Sequence, residues 1–119
     1  GDRWLSAYGK AWEGRDAQAA ALLFSEDALY AWGPFDEVHG REAIRERWAA
    51  ATVDQEDIRF SWEVLGALGS TVVARWWCEY GREGRDQRAS LDGIFLIELD
   101  ADGLCSGFRE WWAAREVER

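Results

Sequence analysis

Hydrophobic residues in the first part of the chain recur at helical spacing. Trp4, Tyr8 and Trp12 follow one another at intervals of four residues, so they share one face of a helix. Gly14 ends this pattern, as glycine commonly does after the last helical turn. The sequence therefore predicts a first helix with an aromatic inner face.

Two further helices are predicted from their start signals and apolar spacing. Asp16 is a suitable N-cap for a helix over 17–24, because its carboxylate can accept from the free backbone N–H groups of the first turn. A third helix is predicted over 41–51, after a Gly40 that follows a charged loop over 33–40. Its inner side carries Ala43, Ile44, Arg47 and Trp48.

The second half of the chain changes to a period of two, which is typical of half-buried strands. Ile58, Phe60, Trp62 and Val64 alternate with polar residues. Glycine-rich and Asp-Gly turns then separate three more apolar segments. The strands are predicted over 57–64, 71–80, 88–99 and 104–113, with a shorter one over 28–32.

Three helices followed by a four-stranded antiparallel meander indicate the α+β class. Strands of this length should twist and curl, so we expect a cone-shaped α+β barrel with three N-terminal helices packed on a curved, mostly antiparallel sheet. The expected single domain covers residues 2–114, and residues 115–119 are predicted to be a charged, frayed tail. The space between the helices and the sheet is the expected ligand cavity.

The charge balance changes which partners are plausible. The chain has 119 residues, 14 basic and 23 acidic side chains, and a net charge of −9. A negative protein lacks the basic face that nucleic acids require and is repelled by anionic membrane surfaces. No apolar run is long enough to span a bilayer, and the polar start has no apolar leader segment. We therefore expect a cytoplasmic protein without nucleic-acid or membrane partners.

The two cysteines, Cys78 and Cys105, lie in apolar strand-like segments. They are too few for a disulfide scaffold and have no CxxC spacing. We expect both to behave as small buried hydrophobic residues, with a single disulfide as the alternative. No cofactor and no metal site is expected, since Asp36, Glu37 and His39 lack a preorganised spacing and a full ligand set.

Six short motifs in order along the chain resemble the SnoaL-like branch of the nuclear transport factor 2-like superfamily, which includes small bacterial proteins. The resemblance covers about residues 2–114 and implies the cone-shaped fold. It does not imply one activity, because this superfamily mixes isomerases, dehydratases, cyclases, epoxide hydrolases and non-catalytic binding modules. The motifs are Tyr8-Gly-Lys-Ala-Trp12, Leu23-Phe-Ser-Glu-Asp27-Ala28, Pro34-Phe35, Gly40-Arg-Glu-Ala-Ile44, Leu91-Asp-Gly-Ile94 and Arg109-Glu-Trp-Trp112.

The ketosteroid isomerases within this superfamily offer a residue-by-residue comparison. The resemblance places their oxyanion-hole tyrosine on Tyr8, their base on Trp32 or its neighbour Gly33, and their protonated acid on Phe95. That pair of carboxyl groups is the established example of carboxyl pKa tuning. Because both acids are missing here, an isomerase mechanism of that type is not expected.

Four residues remain as candidates for catalysis. Tyr8 could donate a hydrogen bond to a ligand oxygen, or be a core tyrosine. Glu110 shares strand parity with Phe108 and Trp112 and could act as a general base with a raised pKa. A structural alternative is an inward ion pair between Glu110 and Arg75.

The other two candidates are Asp92 and His39. Asp92 points inward only if Gly93 hosts a β-bulge; otherwise it is a surface or interface charge. His39 could reach the cavity rim as an acid or base, or be a solvated or capping residue. The expected apolar lining of the cavity is Trp12, Trp32, Ile44, Trp48, Phe60, Trp62, Phe95, Phe108 and Trp112.

The adjacent pairs Trp76-Trp77 and Trp111-Trp112 place one indole on each face of the sheet. The outward members would form an apolar patch, so we expect a homodimer through the outer sheet face.

The favoured function is binding of a small hydrophobic molecule in the cavity, with acid/base chemistry of the isomerase, cyclase or dehydratase type. The alternatives are a non-catalytic ligand-binding module and a dimeric accessory module.

Overall fold

Residues 1–118 are described by a computed structural model, and within them the chain forms three helices and six strands. The hydrophobic periodicity of the sequence accounts for the order of these elements. They are α1 (Asp2–Glu13), α2 (Ala17–Ala21), β1 (Phe24–Gly33), β2 (Asp36–His39), α3 (Arg41–Thr52), β3 (Gln55–Leu68), β4 (Thr71–Arg82), β5 (Gln87–Leu99) and β6 (Cys105–Glu118).

All six strands form one sheet in the order β2-β1-β6-β5-β4-β3. Strands β3 to β6 form the expected antiparallel meander, whereas β1 pairs with β6 in parallel. The α+β class is confirmed, but the prediction of a barrel is wrong, because β2 and β3 are the two edges of a sheet that does not close. The helices are also not consecutive, since α3 follows β1 and β2.

The second helix is shorter than predicted and the first strand is longer. Phe24 begins β1 and lies opposite Cys105 of β6, and the Cys105 N–H donates to the Leu23 carbonyl over 2.8 Å. The backbone at residues 23 and 24 is therefore hydrogen-bonded to or paired with β6 and is not part of the helix. This tertiary pairing outweighs the helical spacing that predicted a helix to residue 24.

The predicted charged loop over 33–40 contains a four-residue strand instead. Asp36–His39 pairs with β1 in antiparallel register, with Tyr30 opposite Val38. Three of its four side chains are exposed, which is why no alternating apolar pattern announces it. An edge position with charged residues is typical of such short strands.

The charged segment after residue 114 also continues the sheet. Arg115 pairs with Ser90 and Glu118 pairs with Gln87, so residues 115–118 are not a frayed tail. Arg119 lies outside the described residues. No helix in the described part of the chain is long and apolar enough to cross a membrane.

The core lies between the helices and the inner face of the sheet, and it is built mainly of aromatic rings. The Tyr8 ring is at its centre: its centroid lies 5.0 Å from that of Trp4, 5.2 Å from Trp48 and 5.5 Å from Phe108. Aromatic pairs at these separations add to the stabilisation from burial alone.

Cys78 and Cys105 are both buried and free, so the expectation of unpaired thiols is confirmed.

Candidate functional site

A cavity of about 230 Å³ opens between the helical layer and the inner face of the sheet. Aromatic rings make up much of its wall, with a few polar groups placed among them, the usual composition of a small-molecule site. Its lining residues are Tyr8, Trp12, Tyr30, Trp32, Arg47, Trp48, Ala51, Thr52, Gln55, Trp76, Tyr80, Arg82, Leu91, Glu110 and Trp112.

Two tyrosine hydroxyls meet in the wall of this cavity. A side-chain hydrogen bond joins Tyr8 on α1 and Tyr30 on β1, and burial raises the pKa of both phenols. The Tyr30 ring stacks on Phe108 at a centroid distance of 5.0 Å, which fixes its orientation. Each hydroxyl has one proton and two lone pairs, so one of the two donates to the other and the pair keeps one O–H for a ligand.

Glu110 supplies the carboxyl group of the site. It lies on the inner face of β6, directly opposite Phe95 of β5, and is buried with 8% of its surface exposed. Burial raises its pKa to about 8, against a smaller lowering by the positive charge of Arg47. The side chain is therefore mostly protonated at pH 7, and it can give or accept a proton close to neutral pH.

The mouth of the cavity is formed by Arg47, Trp32 and Trp112. The guanidinium carbon of Arg47 lies 4.2 Å from the centroid of the Trp32 ring, a cation–π contact. The indole Nε1 of Trp112 donates to the Trp32 carbonyl over 2.9 Å. The same three residues also line an open surface groove, so the groove adjoins the cavity at its mouth.

Polar residues on the opposite rim are mutually satisfied. Arg82 pairs with Asp54 over 3.1 Å and donates to the Tyr80 hydroxyl over 3.2 Å. The Trp12 Nε1 donates to the Gln55 side-chain oxygen over 2.8 Å. These contacts hold the rim in place without using the groups deeper in the cavity.

The structure brings six of the predicted site residues to the cavity: Tyr8, Glu110, Trp12, Trp32, Trp48 and Trp112. Four others, Ile44, Phe60, Phe95 and Phe108, are buried in the core behind the wall. Trp62 lies outside the cavity, with its Nε1 donating to Asp2 over 3.0 Å. The alternation of side chains along each strand therefore predicts which residues face inward, but not which of these line the cavity.

Asp92 is not in the cavity. It lies on the outer face of the sheet, half-exposed, and pairs with Arg75 over 2.8 Å. The β4–β5 register is continuous past Gly93, so the β-bulge that would turn Asp92 inward is absent. The Glu110–Arg75 pair considered above is also absent, because the two side chains lie on opposite faces.

His39 is also away from the cavity. It lies on the edge strand β2, exposed, and its Nε2 is 2.7 Å from a Glu37 carboxylate oxygen. Within residues 1–118 no group of three or more His, Cys, Asp or Glu side chains is arranged to hold a metal ion.

Nine residues of the cavity wall were not among the site residues predicted from sequence: Tyr30, Arg47, Ala51, Thr52, Gln55, Trp76, Tyr80, Arg82 and Leu91. Tyr30 could have been found, because it shares strand parity with Trp32. Tyr80 likewise shares parity with Trp76, the inward member of its tryptophan pair. Arg82 could not, since its place at the rim depends on how far β4 extends beyond its apolar alternation.

Comparison with known proteins places the fold in a recognised group. The family model of the SnoaL-like domain matches residues 5–108. No functionally curated protein matches the chain by sequence. Solved structures with the same fold include SalBIII, an epoxide hydrolase/cyclase-like enzyme in pyran ring formation in the polyether salinomycin, at 19% identity and a TM-score of 0.79, covering 94% of this chain and 89% of that one.

Two further neighbours show how widely this fold is used. An LEH-like epoxide hydrolase of M. tuberculosis is 17% identical with a TM-score of 0.72, covering 93% of this chain and 80% of that one. An NTF2-like protein of unknown function from Exiguobacterium sp. 255-15 is 21% identical with a TM-score of 0.76, covering 92% and 98%. At these identities the similarity establishes the fold, and the chemistry has to be argued from the site.

Proposed function

The chain belongs to the SnoaL-like domain family, and we propose that its cavity binds a small, mainly apolar molecule with which Glu110 exchanges a proton. One observation carries this proposal: a carboxyl group is buried in an aromatic cavity beside a pair of hydrogen-bonded tyrosines. A buried carboxyl group in a cavity with no structural partner is typical of functional sites.

The size of the cavity limits the ligand. Cavities of about 150 Å³ accept benzene, and sites for drug-sized molecules begin at about 300 Å³. A volume of about 230 Å³ therefore suits a single substituted ring or a short branched chain. The open groove beyond Arg47 and Trp112 leaves room for a substituent to extend outward.

Tyr30 is the group that would orient the ligand. It lines the cavity and is hydrogen-bonded to Tyr8, and this pair of hydroxyls keeps one O–H available for an oxygen atom of the ligand. The raised pKa of both phenols keeps them neutral over the physiological range, so they act as hydrogen-bond donors and not as bases. A donor held rigidly in a cavity stabilises negative charge that develops on a carbonyl, epoxide or enol oxygen.

Glu110 would then supply the proton transfer. With a pKa near 8 both protonation states are populated near neutral pH, which is where a general acid/base is most effective. The protonated form can give its proton to a ligand oxygen, and the ionised form can remove one from carbon beside a carbonyl. Isomerisation, cyclisation and dehydration all include such transfers, beside the bonds that the ligand itself forms or breaks.

Acetophenone tests both parts of the proposal, because it combines one apolar ring with a carbonyl group and exchangeable hydrogens beside it. We expect it to quench the tryptophan fluorescence, and we expect the protein to accelerate the exchange of its methyl hydrogens in D₂O. Glu110→Gln should still bind acetophenone but lose the acceleration. Glu116→Gln is the matched control, because Glu116 is an exposed glutamate on the same strand.

Binding without any acceleration would favour the non-catalytic alternative, a ligand-binding module of the same fold. Absence of binding at millimolar acetophenone would overturn the cavity proposal. Acceleration that persists in Glu110→Gln would remove Glu110 from the mechanism.

We also propose that the outer face of the sheet packs against a second copy of the chain. Trp111 is 47% exposed there, and Trp77 lies two strands away on the same face, with Arg75 stacked on its ring at 4.5 Å. The same face carries Asp92 paired with Arg75. Both charge signs together with apolar residues on one face suit a self-complementary two-fold interface.

A further inference from the structure

Arg47 differs from the other arginine of the cavity in having no carboxylate partner. Arg82 is neutralised by Asp54 at 3.1 Å, whereas no ion pair among residues 1–118 includes Arg47. The Arg47 guanidinium lies over the Trp32 ring, at 4.2 Å. In a chain with 23 acidic side chains, a half-buried cation without a counter-ion at the mouth of a cavity requires an explanation.

The wall beside Arg47 also offers a neutral donor. The side chains of Tyr8 and Tyr30 are hydrogen-bonded to each other, and both residues line the cavity. One hydroxyl of the pair donates to the other, so one O–H remains for an acceptor atom of a ligand.

The positive charge of Arg47 also reaches the reacting part of the cavity. It is close enough to lower the pKa of both Tyr30 and Glu110. Because Glu110 is mostly protonated at pH 7, it does not neutralise the charge of Arg47 from within the cavity wall. Guanidinium groups bind carboxylates through paired, charge-assisted hydrogen bonds.

We propose that the ligand is a small apolar carboxylate, with its anionic group between Arg47 and Tyr30 and its hydrocarbon body among the aromatic rings. This inference rests on the proposed function of the cavity and names the class of molecule that the cavity selects. A neutral ligand of the same shape would leave the charge of Arg47 uncompensated, so it should bind less tightly.

Benzoate and benzamide form a matched pair of probes, since they have nearly the same shape and differ in charge. By isothermal titration calorimetry at pH 7 we expect benzoate to bind about tenfold more tightly than benzamide. Arg47→Gln should remove this preference, so that benzoate and benzamide bind with affinities within about twofold of each other. Arg47→Lys, which keeps the charge, should retain part of the preference.

Arg45→Gln is the control, because Arg45 lies on the same helix, is paired with Glu42 and does not line the cavity. It removes the same charge from the protein and should leave the preference for benzoate unchanged. A loss of preference in Arg45→Gln equal to that in Arg47→Gln would show a general charge effect and would overturn the inference.

A pH series provides a second, independent readout. The titratable or charged residues that line the cavity are Glu110, Tyr8, Tyr30, Tyr80, Arg47 and Arg82. The tyrosine pKa values are raised by burial, whereas the pKa of Glu110 is about 8, so Glu110 is the group that ionises between pH 7 and 9. Its negative charge should weaken benzoate binding about tenfold at pH 9, and Glu110→Gln should abolish that decrease.

The outcomes separate this inference from the proposed function. Benzamide and benzoate binding with equal affinity would overturn the carboxylate preference and leave the cavity as a ligand site. No binding of benzoate, benzamide or acetophenone would overturn both.

Discussion

Phe95 and Glu110 lie directly opposite each other on β5 and β6. Phe95 is the position at which the resemblance to ketosteroid isomerases places a protonated acid. The carboxyl group is therefore absent from that position but present on its cross-strand partner, on the same inner face of the sheet. The chemistry of a site on this fold depends on which side chains point into the cavity. A carboxyl group can be supplied there from either of two neighbouring strands.

The burial of Glu110 should make stability depend on pH in a definite direction. The folded protein keeps this proton up to about pH 8, whereas the unfolded chain releases it near the ordinary value of 4.5. Between these values the folded state holds more protons, so the free energy of unfolding falls as pH rises, by on the order of 1.4 kcal/mol per pH unit at most. Above pH 8 this loss stops.

Urea denaturation of the wild type and Glu110→Gln at a series of pH values measures this effect. The two proteins should be similar in stability near pH 5, and Glu110→Gln should be the more stable by several kcal/mol near pH 8. If the wild type instead became more stable relative to Glu110→Gln as the pH rises, the pH dependence would have the opposite sign to that expected from a buried carboxyl group.

Gly93 is required by close packing and not by backbone conformation. A Cβ atom at this position would lie 2.5 Å from the Trp111 carbonyl oxygen and 2.7 Å from the Trp76 Nε1. Gly93→Ala should therefore destabilise the protein by about 1–3 kcal/mol. Gly66→Ala is the control in the same sheet, since nothing lies within 4 Å of the added atom, and equal losses in both variants would contradict this account.

Both thiols should be unreactive in the folded protein. Burial raises the pKa of Cys105 to about 12 and that of Cys78 still further, and the thiolate is the reactive form. A thiol-specific disulfide reagent at pH 8 should label neither residue in buffer and both in concentrated urea. Rapid labelling of the native protein would show that one of these strands opens readily.

The proposed dimer interface can be disrupted from the outer face alone. Trp111→Lys replaces an exposed apolar ring by a charge and should shift the protein from dimer to monomer in light scattering at micromolar concentration. Leu68→Lys changes another highly exposed apolar residue, 86% accessible at the end of β3, and should leave the dimer intact. A wild type that is monomeric at this concentration would exclude the interface.

Local periodicity was sufficient to predict α1, α3 and the four-stranded meander, because each of these elements buries one regular face. It failed where tertiary pairing determines the structure. Phe24 is part of a strand only because Cys105 of β6 lies beside it, and the short strand Asp36–His39 has mostly exposed side chains.

The candidate site was predictable to a similar extent. Strand parity correctly places Glu110 on the inner face and leaves Asp92 outside unless a β-bulge intervenes. Parity cannot distinguish Phe108, which is fully buried in the core, from Trp112, which borders the cavity. Nor does any local pattern show that Arg47 and Glu110, far apart in sequence, act on the same small volume.

The protonation state of Glu110 is the most direct test of the central claim, that this cavity holds a carboxyl group poised for proton transfer near neutral pH. The side-chain carboxyl ¹³C resonance of Glu110, assigned by its absence in Glu110→Gln, can be followed by NMR from pH 4 to 10. The account predicts a midpoint near pH 8. A midpoint near the ordinary glutamate value of about 4.3 would mean an ionised carboxylate at neutral pH and would contradict it.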